Sequence, residues 1–306
     1  MPLPTLTLQS IPTPWRDRFL SAGAWGEKQG VPTALVGGCV RDLMLDRSPR
    51  DWDIVVDAQA HSLAQTLLDQ FGGTLVEHPR FLTRTLHFHD GTHLDIATAR
   101  EEIYPTPGSL PQVRPSTVAK DYVRRDFTVN SFYLTLPHAS LLDPAQGLPD
   151  LKAGLLRVLH DGSFTDDPTR LHRLARYAGR YGWTPDTHTR DLIHSATVAN
   201  APTTVSPVRL RHELFHILQE PNPVPALRSL WDWGLWPYWD PTWIWSDSRS
   251  DLLAKPVADD VLPTRLILFF DHNLSKADAW LKKVSCPVSL RHAVANRFLS
   301  QNPGLK

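Results

Sequence analysis

The run Thr33-Ala34-Leu35-Val36-Gly37-Gly38-Cys39-Val40-Arg41-Asp42-Leu43-Met44-Leu45, closely followed by Asp51-Trp52-Asp53-Ile54-Val55-Val56, decides how the first half of this chain folds. Ala34 to Val36 is a short apolar run that stops at two glycines. Val40 to Leu45 is a compact segment that leads to a second apolar run opening on Asp-x-Asp. The pattern predicts a strand, a tight turn, a helix too short to stand alone but suited to packing on a sheet, and a second strand. Two glycines after a strand let the backbone approach a phosphate closely, and the helix that starts there offers N–H groups to the same anion. Arg41 adds a positive charge.

Working outward, Arg84-Thr85-Leu86-His87-Phe88 and His93-Leu94-Asp95-Ile96-Ala97 read as further strands, and His61 to Phe71 as a second helix. The first half is therefore expected to be mixed α and β. Beyond Asp166 the period becomes helical. Leu171, Leu174, Ala175 and Ala178 share one stripe, with Arg170, Arg173, Arg176 and Arg180 between them. Leu210, Leu214, Ile217 and Leu218 mark another helix after Pro207, and Pro225 to Leu235 a further one. Strands are expected to be absent from this half. Asp143-Pro144-Ala145-Gln146-Gly147 is a turn-rich connection that places a boundary near residues 140–160.

Composition narrows the classes. With 42% hydrophobic and 21% charged residues over 306 positions, the chain is neither disordered nor fibrous, and its length suits more than one domain. Thirty-two basic residues balance thirty-two acidic ones, so any nucleic-acid surface must be local. Cys39 and Cys286 form no CxxC pattern, which argues against a disulfide framework or a structural zinc site and for a reducing compartment. The start, MPLPTLTLQS, lacks a basic flank before an apolar stretch, and no run of about 18 apolar residues occurs. A soluble, cytoplasmic protein with no membrane partner is expected.

In a strand, residues two apart project to the same side, so Asp51 and Asp53 would place two carboxylates together, where a divalent cation relieves their repulsion. Hard oxygen ligands with open positions for phosphates suit magnesium. A GG turn alone is most often just a tight turn, and a DxD alone a solvated edge; in this order they reinforce each other. Gly37-Gly38-x-Val40-Arg41-Asp42 followed by Asp51-x-Asp53 resembles the first motif of the class II tRNA nucleotidyltransferase and bacterial poly(A) polymerase family, within the DNA polymerase beta-like superfamily. Arg124-Arg125-Asp126-Phe127-Thr128-Val129-Asn130 resembles its second motif, although by charge alone this would be a surface ion-pair cluster. Asp95 matches by position the third metal-holding carboxylate, or is equally a structural partner for an arginine.

Asp166-Asp167-Pro168-Thr169-Arg170-Leu171-His172-Arg173-Leu174-Ala175-Arg176 resembles the family's protein template, in which an Asp and an Arg bond the edge of the incoming base. Read without that likeness, it is an acidic first turn with arginines on a solvated face. Asp166 stands where the family usually has Glu. Val205 to Leu214 resembles the neck helix.

The resemblance implies an α+β polymerase-beta-like head over residues 1–150, a helical neck over 151–240 and a helical body over 241–306. It implies a magnesium site at Asp51, Asp53 and Asp95. Gly37, Gly38 and Arg41 would position the triphosphate, Arg124, Arg125, Asp126 and Asn130 the sugar-phosphate region, and Asp167 and Arg170 the base, with Arg173 and Arg176 nearer the phosphates. CTP and ATP would be the nucleotides and the 3′ end of tRNA the acceptor. The tail from Leu274 carries Lys276, Lys282, Lys283, Arg291, Arg297 and Lys306 against Asp278. Lys282, Lys283 and Arg291 are its candidate RNA contacts, the alternative being a plain soluble helix. Residues 100–117 would be the flexible loop that in the family helps switch base selection, or a mere connector. CC-only, A-only and poly(A) synthesis share these motifs. An idle RNA-binding relative would not need Asp51 and Asp53, and a small-substrate nucleotidyltransferase would lack the block from Asp167 to Arg176.

Overall fold

The apolar run before the two glycines and the one that opens on Asp53 are both strands, with a short helix between them. The computed structural model describes residues 6–239 and 244–301, in two compact units. One takes the chain to Pro105 and then Leu110–His160; the other takes Thr106–Ser109 and the chain from Asp161 onward.

The first unit begins with helix α1 (Thr13–Gln29), then β1 (Thr33–Val36), α2 (Gly38–Met44), β2 (Asp53–Val56), α3 (Ala60–Phe71), β3 (Thr74–His78), β4 (Thr83–His87) and β5 (His93–Thr98). A hairpin follows, β6 (Arg100–Ile103) and β7 (Gln112–Pro115), and then α4 (Val118–Asp121), β8 (Tyr133–Thr135), β9 (Leu141–Leu142) and α5 (Leu148–Ala153). Seven strands form one sheet in the order β3-β4-β5-β2-β1-β8-β9. Within it β2 and β5 run parallel, while β1 pairs antiparallel with both β2 and β8. All four residues of β1 are buried, as expected for a central strand covered on both faces.

One sheet face carries Ile54, Leu86, Leu94 and Ile96, all fully buried, and α3 packs against it with Leu63, Ala64 and Leu67. On α1, Trp15 and Phe19 join Trp52 and Phe88 in an aromatic cluster with ring centroids 5.0–6.4 Å apart. The Arg18 guanidinium lies 3.7 Å from the Phe88 ring and donates to Asp90 at 2.6 Å and Thr92 at 2.8 Å, so its charge is balanced where it is buried. Helix α1 is absent from the sequence expectations because Gly23 and Gly26 interrupt its pattern. At Gly23 a Cβ would lie 2.5 Å from the backbone nitrogen of Pro137, so the residue that weakens the helix locally is the one that permits close packing.

Residues 100–117 are not a plain connector. β6 and β7 pair antiparallel from Arg100↔Pro115 to Ile103↔Gln112. Their residues are largely polar and exposed, so the alternation that betrays a half-buried strand is missing.

The second unit is built of α6 (Ser163–Asp166), α7 (Thr169–Tyr181), α8 (Thr187–Val198), α9 (Pro207–Leu218), α10 (Val224–Asp232), α11 (Asp247–Ala254), α12 (Val261–Phe269), α13 (Leu274–Lys283) and α14 (Val288–Gln301). The expected absence of strands fails at Thr184–Pro185, a two-residue strand between Gly182, in the left-handed conformation, and Asp186, which caps α8. The apolar stripes behave as read: Leu171, Leu174, Ala175 and Ala178 on α7, and Leu210, Leu214, Ile217 and Leu218 on α9, are all buried. Ser206 accepts from the Arg209 N–H and Pro207 occupies the first turn, which fixes the start of α9.

Candidate active site

Asp53 opens β2 and Asp95 lies in β5, and the parallel register pairs them directly. With side chains at paired positions facing the same way, the two carboxylates share one sheet face. Burial and then the charge of Asp95 push the Asp53 carboxyl up to about 6; Asp51 adds to the rise, while Arg125 and Arg124 oppose it. Asp95 accepts a hydrogen bond from the Thr85 hydroxyl at 2.6 Å. Asp51 differs from the strand-alternation expectation. β2 starts at Asp53, so Asp51 lies in the bend before it, with its side chain 71% exposed and 3.4 Å from His93 Nε2.

Among the described residues no three His, Cys, Asp or Glu side chains gather closely enough to enclose an ion. Asp53 and Asp95 are nevertheless hard oxygen donors whose mutual repulsion a divalent cation would relieve. Beneath them, burial and then Asp53 push the Cys39 thiol up to about 12, so it is inert.

Gly37 has φ 80° and ψ −134°, a conformation open to glycine, and a Cβ there would lie 3.0 Å from Arg125 Nη1. Arg41 was expected to offer its charge to phosphate. It is instead 2% exposed, with Nε and Nη2 donating to Asp42 Oδ1 at 3.0 and 2.9 Å and Nη1 to Asn130 Oδ1. Asn130 in turn donates to Asp126 at 2.8 Å. Arg41, Asp42, Asn130 and Asp126 thus form a buried chain that ties the two motifs together, because a neighbouring carboxylate compensates the buried cation more fully than a distant anion could.

Arg124 and Arg125 converge on Asp121, which is fully buried. Arg124 Nε and Arg125 Nη2 each donate to it at 2.8 Å, and the Tyr133 hydroxyl donates at 3.1 Å. Burial alone would raise the Asp121 carboxyl, but Arg125 and Arg124 outweigh it and hold it at about 2. Glu102 of β6 lies 2.9 Å from Arg100 and 3.5 Å from Arg124. Sequence reading missed Asp121, although an acid three and four residues before two arginines was the available signal. No local signal marked Thr85 or Tyr133.

The template-like block belongs to the second unit. Asp167 Oδ1 accepts from the Thr169 N–H at 3.1 Å, the Thr169 hydroxyl at 2.6 Å and Arg209 Nη2 at 2.7 Å. Arg209 also donates to the Gly108 carbonyl at 2.7 Å, so the neck helix orients Asp167 and anchors the tip of the 100–117 segment. Arg170 is 4% exposed and donates to the Ser163 hydroxyl at 2.8 Å. Arg173, Arg176 and Arg180 lie 5.2–5.9 Å from the Tyr177 ring; Arg173 donates to its hydroxyl and Arg180 pairs with Glu220. These arginines are therefore packed and partnered, not spread over a solvated face.

In the tail, Asp278 takes both Lys282 at 2.7 Å and Arg291 at 2.8 Å, and Lys283 is exposed. Arg297 donates to Thr264. Lys306 lies outside the described residues. Among the described residues, no helix is long and apolar enough to cross a membrane.

Residues 33–157 match the Poly A polymerase head domain family. The chain is 39% identical over 219 residues to an A-adding tRNA nucleotidyltransferase of Halalkalibacterium halodurans, covering 70% of this chain and 51% of that one. It is 41% identical over 204 residues to a CC-adding tRNA nucleotidyltransferase of Deinococcus radiodurans, covering 66% and 54%. It thus spans about half the length of these curated relatives. A solved CCA-adding enzyme in an apo form aligns at TM-score 0.77 and 30% identity over 97% of this chain and 74% of that chain. A Thermotoga maritima CCA-adding enzyme complexed with tRNA-CCA aligns at TM-score 0.74 and 29% identity, over 97% and 73%. The paired carboxylates on adjacent strands, the glycine turn and this likeness along nearly the whole chain agree: it belongs to the class II tRNA nucleotidyltransferase and bacterial poly(A) polymerase family.

Proposed function

We propose that this chain is a cytoplasmic, template-independent tRNA nucleotidyltransferase that adds CMP, AMP or both, from CTP and ATP, to the 3′ end of tRNA. The observation that carries the reading is the register of β2 on β5, which sets Asp53 beside Asp95, where burial and then the neighbouring charge raise the Asp53 carboxyl to about 6. Asp53 and Asp95, with Asp51, would hold magnesium, which when bound would neutralise the phosphates and activate the attacking hydroxyl. The terminal 3′ oxygen forms a bond to the α-phosphorus, the bond from that phosphorus to the bridging oxygen breaks, and pyrophosphate leaves. The hydroxyl proton passes to the carboxylate pair.

Gly37 and Gly38 bring backbone close to the triphosphate, and Arg124 and Arg125, pre-ordered on Asp121, supply charge for it without reorganising. Arg41, Asp126 and Asn130 act by holding that arrangement. In the second unit Asp167 and Arg170 select the base by offering an acceptor and a forked donor, and Arg173 and Arg176 support them. Lys282, Lys283 and Arg291 contribute to tRNA backbone contact, within a division of labour between head (1–150), neck (151–240) and body (241–306).

The test incubates the purified protein and magnesium with tRNAs lacking the whole CCA end, lacking the final A, or complete, with CTP and ATP singly and together. Product size separates CC, A, CCA and poly(A) synthesis, all of which have namesakes among the relatives. Asp53→Ala is expected to abolish incorporation. No incorporation by the wild-type chain under any combination refutes the proposal.

A further inference from the structure

We infer that the open face of β3, β4 and β5 beside the carboxylate pair seats the 3′-terminal nucleoside of the RNA strand being extended, with the rings of His87 and His93 as its stacking platform. The inference rests on the proposed nucleotidyl transfer and adds the acceptor's position to it.

Register defines the surface. Asp53 pairs with Asp95, Asp95 with Thr85, and Thr85 with Val76, so these side chains share one face. Two residues along the same strands, His87 pairs with His93 and with Thr74. The opposite face is closed by α3, as Leu86, Leu94 and Ile96 show by being fully buried. The carboxylate face is open: Val76 is 44% exposed, His87 is exposed and the His93 side chain is 44% exposed. The two imidazoles lie 6.3 Å apart between centroids, with 38° between their planes. Asp51 Oδ1 lies 3.4 Å from His93 Nε2.

Direction of attack selects the occupant. Displacement at phosphorus proceeds in line, so the nucleophile enters opposite the leaving group. Across the sheet the order is β1, β2, β5, β4. The phosphate-directed groups, Gly37 and Arg125, lie at the β1 side of Asp53. Pyrophosphate leaving toward β1 requires the hydroxyl to arrive from the β4 side of Asp95. Two residues along a strand span roughly 6–7 Å, about the reach from a ribose 3′ oxygen to its own base. Of the two rows at that spacing from Asp95, Thr83–Ala97 offers no ring and His87–His93 offers two, with His87 exposed, so a nucleoside whose hydroxyl is at Asp95 has its stacking surface over the His87–His93 row. Stacking tolerates any base. That tolerance suits an acceptor end whose last base changes after every addition, which a fixed set of hydrogen-bonding groups could not follow.

Steady-state kinetics on the intact chain with magnesium and tRNA lacking its CCA end test the inference. His87→Ala is expected to raise the KM for tRNA roughly tenfold, with kcat and the KM for CTP within about twofold of wild type. His87→Phe, which keeps the ring and loses the nitrogens, is expected to restore most of the tRNA affinity. His93→Ala and His93→Phe should follow the same order, and thermal melts confirm that all four variants fold. An unchanged tRNA KM in His87→Ala, a shift in the CTP KM instead, or no rescue by His87→Phe overturns the platform while wild-type incorporation leaves the enzyme reading intact. A wild-type chain that adds no nucleotide overturns both.

Discussion

Replacing Asp53 with Asn removes one of two like charges that the sheet register forces together, so the metal-free protein should become more stable as it loses activity. The Asp53 carboxyl is raised from 3.8 to about 6 by burial and by Asp95. At about 1.4 kcal/mol per unit, the penalty for ionising it in the folded state approaches 3 kcal/mol. The side chain retains some solvent contact, which screens the repulsion, so a gain of about 1–2 kcal/mol is expected for Asp53→Asn.

The sign depends on pH. Between 3.8 and 6 the folded chain holds a proton that the unfolded chain has lost. Wild-type stability therefore falls as pH rises through that window, and the whole penalty is present above it. Urea melts in EDTA should show the full gain at pH 7.5 and about a third of it at pH 4.5. Millimolar magnesium should stabilise the wild type and leave the variant nearly unmoved. Equal stability of variant and wild type at pH 7.5, or an equal gain at both pH values, refutes the claim that an incompletely compensated carboxylate pair forms the site.

Asp121→Ala should cost about 3–5 kcal/mol in urea denaturation, because it strands the charges of Arg124 and Arg125, while Asp121→Asn should cost less by keeping a hydrogen-bond acceptor. His172, fully buried in α7, is pushed down to about 4 by burial and is neutral in the fold. Its stability contribution is present above 6.5 and lost as pH falls toward 4, so the stability of His172→Leu relative to wild type should improve by about 2–3 kcal/mol between pH 7 and 4.5, as read by paired melts. Arg170→Ala should weaken nucleotide affinity and blunt the choice between CTP and ATP by roughly tenfold or more, the scale of a lost charged hydrogen bond; competition assays that return wild-type discrimination would remove Arg170 from base selection.

Much of the head could be read from the chain, for a definite reason. β1, β2, β4 and β5 are short apolar runs with clear punctuation, and α7 and α9 carry stripes of helical period, so local pattern and burial agree. The hairpin β6–β7 and helix α1 escaped because the first is largely polar and the second is interrupted by glycines whose close packing, Gly23 on Pro137 and Gly26 on Thr33, belongs to the tertiary structure. In the candidate site, residue types and their order were legible, but the state of each charge was not. Arg41 looked like a phosphate ligand and is instead neutralised within the core by Asp42 and linked to Asn130. Arg209 looked like one more neck arginine and is the residue that orients Asp167.

Sequence by itself determined the family, the alternation of strand and helix in the head, the helical character of the second half and the residue types that can do the chemistry. All of these are properties of short windows, where periodicity and turn residues report local conformation and eventual burial. Tertiary structure decided that Asp95 stands beside Asp53 across some forty intervening residues, that Asp51 falls outside the strand, that Asp121 gathers two arginines, and that one face of β3, β4 and β5 stays open. Each of these depends on register between distant segments. Register is set by the summed fit of the whole sheet and its covering helices, so no local stretch encodes it.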